Sequence, residues 1–258
     1  MNRQVNSDGT VGKALDVLDL VASADKPLRF TDLLSLSPHP KATLYRLLQT
    51  LTSQSMLSYD TATQTYAPGL RLVRLAHSAW RQASLAPIAR PFIDRLATDT
   101  GETVHLAQMD RGQVLYIDKR NAAAPVEMFS SAGKIGPGYC TGVGKAIMAH
   151  MPEAERETAI AQQAFLRYTD TTLTDAGALR DELAEIADEG VAFDREEHEP
   201  GIICIAAPIL SGARVLGALS VTSTTSRHDL ASLATLRPMV LATASAIGDA
   251  AANWQFPT

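Results

Sequence analysis

The first seventy positions carry apolar residues at the helical spacing of three and four residues. One set predicts a helix from about 11 to 23, namely Val11, Ala14, Leu15, Leu18 and Val21. A second, shorter helix is expected to be capped by Thr31. It should end before the breaker sequence SPHP at 37–40.

A third helix, over 41–55, has the clearest periodicity. Its apolar stripe follows i, i+3, i+4, i+7 and comprises Leu44, Leu47, Leu48 and Leu51. After it the pattern alternates, which predicts two short strands, MLSYD and QTYAPG, around a turn at TAT. Three helices followed by a two-stranded ribbon is the order of a winged helix-turn-helix, and we assign residues 1–69 to such a domain.

The stretch LRLVRLAHSAWRQASL at 70–85 is also helical. One side of it comprises Leu72, Leu75, Ala76, Ala79 and Trp80. We interpret residues 70–84 as a linker helix that joins two domains. Two interpretations of Trp80 stay open, a contact with a second copy of the chain or burial in its own domain.

From Gly101 onwards the period changes from helical to alternating. Strands are predicted at ETVHLAQM, QVLYIDK, PVEMFSS (125–131), IICIAAPIL and VLGALSVTS, with a DRG turn between the first two. Helices are predicted at PIARPFIDRLATDTG, through KAIMAHM, near 152–163 and 176–189, and over about 228–250. Strands flanked by helices predict an α+β domain over 85–258, an antiparallel sheet covered by helices.

Composition fits a folded protein of one large or two ordinary domains, since 46% of the 258 residues are hydrophobic and 20% are charged. The N-terminal MNRQVNSDGT lacks the apolar core of a signal peptide. The weakly charged stretch 201–226 is interrupted by SGAR, which indicates two strands and a turn rather than a membrane span. The expectation is a soluble cytoplasmic protein.

Charge is divided unevenly along the chain. Residues 1–84 hold nine Lys/Arg and six Asp/Glu, a net charge of +3, whereas residues 85–258 hold 14 and 22, a net charge of −8. A mildly basic module on an acidic body is typical of a nucleic-acid-binding domain attached to a regulatory or catalytic one. A chance imbalance is the alternative.

The stretch GPGYCTGVGKA at 136–146 suggests a phosphate-binding loop. The pattern G-x-x-x-x-G-K-[ST] requires glycine where Tyr139 stands and a hydroxyl where Ala146 stands, so a P-loop is excluded. A glycine-rich turn at a helix N-terminus still exposes unpaired N–H groups and the positive end of the helix dipole. Such a turn suits a small carboxylate without magnesium.

The polar side of the third helix predicts DNA contacts. In a winged helix-turn-helix this helix enters the major groove and presents its N-terminal polar residues to base edges. The candidate DNA-binding residues are Lys41, Thr43, Tyr45, Arg46 and Gln49. A protein-interaction module, or a winged helix that has lost DNA binding, is the alternative.

Three stretches together resemble the IclR-type bacterial transcriptional regulators: the winged helix with TLYRLLQTL, then GPGYCTGVGKAIMA, then GVAFDREEHEPGIICIAAPI. The resemblance extends from about Val11 to about Ile247. It implies an N-terminal domain that binds double-stranded operator DNA. It also implies a GAF/PAS-like C-terminal domain that binds a small metabolite, and assembly as a homodimer or a dimer of dimers.

The resemblance also implies an effector pocket. Its expected residues are Met128, Gly142, Val143, Asp194, Ile202, Cys204, Ser220 and Thr222. Strand alternation agrees, because 202 and 204 share one face and so do 220 and 222. Alternatives stay open: Cys204 as a small core residue, Ser220 and Thr222 facing solvent, and Asp194 capping the next turn. Lys145 is expected to be a surface residue or remote from the dipole, and is not assigned as a ligand.

Two hydroxyls, a thiol, backbone donors and an apolar wall suit a small oxo-acid such as glyoxylate or pyruvate. Larger aromatic effectors would need more apolar lining. Gly136 stands where some members of the family carry a bulkier apolar residue, which implies a larger or differently shaped cavity. A regulator of aromatic or sugar-acid catabolism is therefore an alternative, and repressor and activator are both open.

Two other functions use residues of the same stretches. An enzyme would draw on Cys140, Cys204, His105, His198, Asp194, Glu196 and Glu197. No G-x-S-x-G or H-E-x-x-H motif and no zinc-type cysteine spacing supports catalysis, a metal or a cofactor. DREEHE is better interpreted as a solvated acidic loop. A redox switch would use Cys140 and Cys204, with Lys145 lowering the pKa of the Cys140 thiol.

Overall fold

The structure, a computed structural model, describes residues 9–122 and 128–252, with the side chains of 80–83 left out. The chain divides into two compact units, with the boundary between Gln82 and Ala83. The two alternatives for the Trp80 side chain therefore lie outside the described residues. Within the described part, no helix is both long enough and apolar enough to cross a membrane.

The N-terminal unit is a winged helix-turn-helix, as the order of its elements predicts. Its helices are α1 (Thr10–Ala22), α2 (Phe30–Leu36), α3 (Lys41–Ser53) and α4 (Leu70–Ala83), and its strands are β1 (Leu28–Arg29), β2 (Leu57–Asp60) and β3 (Thr65–Pro68). The three strands form an antiparallel sheet in the order β1-β3-β2. The two-residue strand β1 was not predicted, because it is too short to show alternation.

Helix α3 is held in this unit by the stripe predicted for it, since Leu44, Leu47, Leu48 and Leu51 are all buried. The face of α1 differs from the prediction. Its buried residues are Val17, Leu18 and Val21, whereas Val11 is 74% and Leu15 52% exposed. The predicted and the observed sets of apolar residues both have helical spacing. The sequence does not show where along α1 the contact with α3 begins.

The start of α2 and the surface of α4 also differ from the prediction. Thr31 lies inside α2, whose first turn is closed because the Arg29 N–H donates to the Asp32 carboxylate at 2.9 Å. On α4, Leu72 packs against the apolar core of the N-terminal unit, but Leu75 from the same predicted side is exposed.

The larger unit is an α+β domain, again as predicted. Its strands are β4 (Thr103–Asp110), β5 (Gln113–Arg120), β6 (Ile135–Pro137), β7 (Ala192–Arg195), β8 (Ile202–Ser211) and β9 (Arg214–Thr224). Its helices are α5 (Ala86–Thr100), α6 (Gly142–Ala149), α7 (Glu153–Ala161), α8 (Ala176–Glu189), α9 (Leu230–Ala234) and α10 (Arg237–Ala250). The sheet is antiparallel, in the order β6-β5-β4-β9-β8-β7. Helices α5 and α10 pack against it, and so does α6, which α8 covers.

Three predicted elements of this unit were wrong. Part of the strand expected at 125–131 lies outside the described residues, and 128–131 are not a strand; the strand is β6 instead. The final helix is two helices, because Pro238 lacks an N–H and stands at the start of α10, where that loss costs little. The stretch interpreted as an acidic loop begins with the edge strand β7.

Small residues allow α6 to pack closely against the sheet. All eight residues of α6 are buried, and the strands beneath it contribute Ala107, Ala206 and Ala218. A Cβ atom on Gly144 would lie 2.3 Å from the Gly138 carbonyl oxygen, so only glycine fits there. The GPGYC turn that precedes α6 is therefore packed tightly into the core of the larger unit.

Candidate functional site

A small cavity lies between the N-terminal end of α6 and the sheet. Its wall contains seven of the eight residues predicted for an effector pocket: Gly142, Val143, Asp194, Ile202, Cys204, Ser220 and Thr222. The eighth, Met128, is buried but is not part of the wall. The prediction that Met128 supplies an apolar side does not hold, and Tyr116 and Phe129 supply apolar surface instead.

Strand register explains why these residues meet. Asp194 pairs with Cys204, and Cys204 with Thr222, which forms one row across β7, β8 and β9. Ser220 pairs with His105 of β4 in the next row. Directly opposed residues of antiparallel strands point to the same face, so both rows face the cavity. Ser220 and Thr222 are buried rather than solvent-facing.

A chain of hydrogen bonds runs along one side of the cavity. Thr222 Oγ1 lies 3.2 Å from Ser220 Oγ and 3.1 Å from His105 Nδ1, and His105 Nε2 lies 2.7 Å from Ser130 Oγ. Burial, helped by the positive charge of Lys119, lowers the pKa of His105 to about 3. The imidazole is therefore neutral near pH 7, with one ring nitrogen donating and the other accepting.

The N-terminus of α6 forms the opposite side of the cavity. Thr141 stands at its N-cap position, but its hydroxyl donates to the Pro137 carbonyl at 2.8 Å and does not cap the helix. Among the described residues, no side chain accepts a hydrogen bond from the N–H groups of Gly142 and Val143 in the first turn, and both residues line the cavity. Such a helix end attracts anions.

Position 142 requires glycine because of close packing, and not because of its backbone conformation. A Cβ atom there would lie 2.5 Å from Cys204 Sγ, and the backbone φ of Gly142 is not positive. The backbone of the first turn of α6 thus packs directly on the Cys204 side chain of β8.

Asp194 lines the cavity and also caps the following turn, so the position in the wall and the capping role do not exclude each other. Its Oδ1 accepts a hydrogen bond from the Glu197 N–H at 2.9 Å. Burial, with the nearby Glu197 carboxylate as a second cause, raises the pKa of Asp194 to about 7. The carboxyl group therefore titrates close to physiological pH.

Lys145 is not a surface residue, as had been expected, but is completely buried. Its Nζ forms ion pairs with Glu182 of α8 and with Glu197, and Arg195 also reaches Glu182, at 2.9 Å. Burial opposes the charge of Lys145, but the two carboxylates outweigh burial and raise its pKa. Because Glu197 is buried as well, the second half of DREEHE is not a solvated loop.

Both cysteines are free and buried, Cys204 in the cavity wall and Cys140 in the core. Burial raises the pKa of each thiol. A reactive thiol requires the opposite shift. The charge of Lys145, which a redox switch at Cys140 would use, is compensated by Glu182 and Glu197.

The cavity also contains residues that were not predicted as ligands. They are His105, Tyr116, Phe129, Ser130, Thr141, His198 and Glu199. Alternation along β4 and β5 places His105 and Tyr116 on the inner face, a signal that was present in the sequence. Phe129 and Ser130 belong to an irregular segment, which carries no periodic signal. His198 lies between the rings of Phe129, at 5.0 Å, and Tyr168, at 4.7 Å.

The candidate DNA-binding surface is the outer side of α3. Lys41, Tyr45, Arg46 and Gln49 are exposed, and Thr43 is half-buried. Gln49 Nε2 donates to the Tyr45 hydroxyl at 3.0 Å. The Tyr45 ring in turn meets Phe30 edge-on, with 6.2 Å between centroids. Two of the polar groups on this surface are therefore held in place before any ligand is bound.

Comparisons with known proteins cover both units. Residues 10–61 match the IclR helix-turn-helix domain, and residues 77–249 match the bacterial transcriptional regulator IclR C-terminal domain. The chain is 32% identical to the HTH-type transcriptional regulator XynR of Escherichia coli (strain K12), over 88% of this chain and 91% of XynR. It is 32% identical to the HTH-type transcriptional regulator BhcR of Paracoccus denitrificans (strain Pd 1222), over 89% and 82%.

The fold is shared with solved structures. One is an IclR homolog from Microbacterium hydrocarbonoxydans complexed with 4-hydroxybenzoate. It superposes with a TM-score of 0.80 at 21% identity and covers 94% of this chain and 98% of that one.

Proposed function

Because this chain belongs to the IclR family of DNA-binding bacterial transcriptional regulators, we propose that a small monocarboxylate modulates its binding to operator DNA. An oxo-acid such as glyoxylate or pyruvate represents the class. The observation that carries the proposal is the uncapped N-terminus of α6 facing a wall of hydroxyl groups. The N–H groups of Gly142 and Val143 would bind the carboxylate, and Ser220 and Thr222 would bind the oxo or hydroxyl oxygen.

The size of the cavity supports a small ligand. The space open to the centres of water-sized molecules is about 30 Å³. One water needs about 10–15 Å³ on the same measure, so the cavity suits a ligand of a few non-hydrogen atoms. The related structure that contains 4-hydroxybenzoate also holds a carboxylate, but an aromatic one. A larger acid would require Tyr116 or Phe129 to move.

A binding role also fits the chemistry of the cavity better than catalysis does. Both ring nitrogens of His105 are already engaged by Thr222 and Ser130. The raised pKa keeps the Cys204 thiol protonated near neutral pH. His105 as a base and Cys204 as a nucleophile are therefore both unsuited to catalysis.

DNA recognition is proposed for the exposed side of α3. Lys41 and Arg46 would contact phosphates or base edges, and the ordered pair of Tyr45 and Gln49 would present hydrogen-bonding groups in the major groove. Leu70 and Val73, which are exposed apolar residues one turn apart on α4, support a homodimer that uses this helix. A dimer would read a palindrome with half-sites about 34 Å apart.

The test is a titration of the full-length protein into fluorescent operator DNA, obtained by selection from random sequences. Anisotropy would be followed with and without glyoxylate or pyruvate. Specific, salt-sensitive binding that either acid shifts supports the whole proposal and gives the sign of regulation. Specific binding that neither acid shifts contradicts the proposed effector class, and recovery of no specific sequence contradicts the assigned role of α3.

A further inference from the structure

The ion pairs next to the cavity do not include Asp194. Lys145 and Arg195 are matched by Glu182 and Glu197 through the ion pairs that join them. Within the part of the chain that the structure describes, the hydrogen bond found for the Asp194 carboxyl group comes from the Glu197 N–H. No ion pair with a cation compensates Asp194 there.

Glu199, the other acidic residue of the cavity wall, has a different environment. Both of its carboxylate oxygens accept from the Phe129 N–H at 3.1 Å, and its charge attracts Lys119. Glu199 is also only half-buried, whereas Asp194 is buried. Desolvation therefore penalises a negative charge on Asp194 more strongly than one on Glu199.

A ligand carboxylate at the N-terminus of α6 would lie close to Asp194. The Asp194 nitrogen is 3.5 Å from the position of a Cβ atom on Gly142, so β7 and the first turn of α6 are neighbours. The residues line one cavity with room for only a few atoms. Two carboxylates that share a site of this kind do not both stay ionised.

We infer that Asp194 selects ligands with a single negative charge and that the ligand binds together with one proton carried by the Asp194 carboxyl group. The inference rests on the proposed function, since it concerns how the same cavity accepts a carboxylate. The proton comes from solvent. It resides on Oδ2, because Oδ1 accepts from Glu197, and the resulting O–H donates a hydrogen bond to the ligand.

The groups that surround Asp194 support this assignment. They are Glu197 and Glu199 in the following loop, Lys145 on α6, Cys140 before α6, Cys204 on β8 and Tyr116 on β5. Burial raises the pKa of both thiols and of the Tyr116 phenol, so these three stay neutral. Lys145 stays charged and is engaged by Glu197.

The affinity for the ligand should depend on pH within the range found in cells. The pKa of Asp194, raised mainly by burial, is about 7 in the free protein. Above that pH the ligand must bring a proton with it, and affinity should fall about tenfold per pH unit. Below it the proton is already present and affinity should not depend on pH. A dianion such as oxalate should bind much more weakly than glyoxylate.

The experiment is isothermal titration calorimetry of glyoxylate into the full-length protein from pH 6 to 8.5. Each pH is measured in two buffers with different ionisation enthalpies, which gives the number of protons bound. We expect uptake near zero at pH 6 that approaches one proton per site at pH 8.5. Asp194→Asn keeps an acceptor for the Glu197 N–H, and it should bind glyoxylate without proton uptake and with an affinity independent of pH.

Matched variants separate Asp194 from its titratable neighbours. Glu199→Gln and His198→Asn alter two other titratable groups of the wall, and the proton uptake should persist in both. Loss of uptake in either variant, uptake that persists in Asp194→Asn, or oxalate that binds as tightly as glyoxylate would overturn the inference.

The wild-type measurement does not depend on how any variant folds. Glyoxylate binding without proton uptake at pH 8.5 overturns the inference and leaves the proposed function intact. If neither glyoxylate nor pyruvate binds at millimolar concentration, the proposed effector class and the inference fail together.

Discussion

Gly142 and Cys204 are in such close contact that no side chain fits between them, since a Cβ atom on Gly142 would lie 2.5 Å from Cys204 Sγ. The next nearest atoms, Ala206 Cβ at 3.4 Å and the Asp194 nitrogen at 3.5 Å, would be ordinary contacts. The thiol alone therefore decides whether position 142 tolerates a methyl group.

Gly142→Ala should destabilise the larger unit by about 1–3 kcal/mol, because it overpacks a rigid contact. The free energy of unfolding in urea measures this. Cys204→Ala in the same background removes the clashing atom and should recover most of the loss. A double variant that is no more stable than Gly142→Ala would show that backbone strain, and not the thiol, is responsible.

Lys145→Met should cost about 3–5 kcal/mol of the free energy of unfolding, because it leaves the buried carboxylate of Glu197 without its cation, whereas Glu182 keeps its ion pair with Arg195. Adding Glu197→Gln should restore part of it. Lys134→Met, at an exposed lysine over the Phe129 ring, is the control and should cost under about 1 kcal/mol. Equal losses at both lysines would contradict the assigned role of the ion pairs.

Acid should destabilise the protein in part through His105. Its pKa of about 3 in the folded state lies below the usual 6.5 of an unfolded chain. Neutral His105 therefore makes its full contribution to the free energy of unfolding above pH 6.5. This contribution is lost as the pH falls from 6.5 towards 3, because the unfolded chain binds a proton there and the folded protein does not. Between pH 7 and pH 5 the wild type should lose about 2 kcal/mol more than His105→Gln. Parallel curves of unfolding free energy against pH for the two proteins would exclude this explanation.

Two basic residues on α3 should affect DNA binding differently. Arg46→Ala should weaken a specific operator by about 1–3 kcal/mol more than random DNA, if Arg46 reads a base. Lys41→Ala should weaken both equally and reduce the dependence of log Kd on log salt by about one unit, as expected for a phosphate contact. Equal losses on both DNAs for Arg46→Ala would assign Arg46 to phosphate alone.

Periodicity was a reliable guide wherever one face of an element is buried along its whole length. The leucine stripe of α3 is of this kind. Strands β8 and β9 are buried on both faces, and their period of two brings Cys204, Ser220 and Thr222 to one cavity. It was less reliable for α1, where only the C-terminal part of the helix is covered and Val11 and Leu15 are left exposed.

Features that depend on partners distant in sequence could not be predicted. In the sequence, nothing distinguishes Lys145 from a surface lysine, because its partners Glu182 on α8 and Glu197 in the loop after β7 are distant along the chain. The edge strand β7 carries Asp194 and Arg195 within four residues, and such a short charged stretch shows no apolar alternation. Phe129 and Ser130 lie outside regular structure, where no spacing rule applies.

The pairing of β4 with β9 also bears on how the chain folds during synthesis. It aligns His105 with Ser220 at the centre of the six-stranded sheet, and contacts between such distant positions form slowly. The larger unit therefore cannot complete its sheet until β9 has left the ribosome. The N-terminal unit, complete by Gln82, is free to fold while the strands of its neighbour are still being translated.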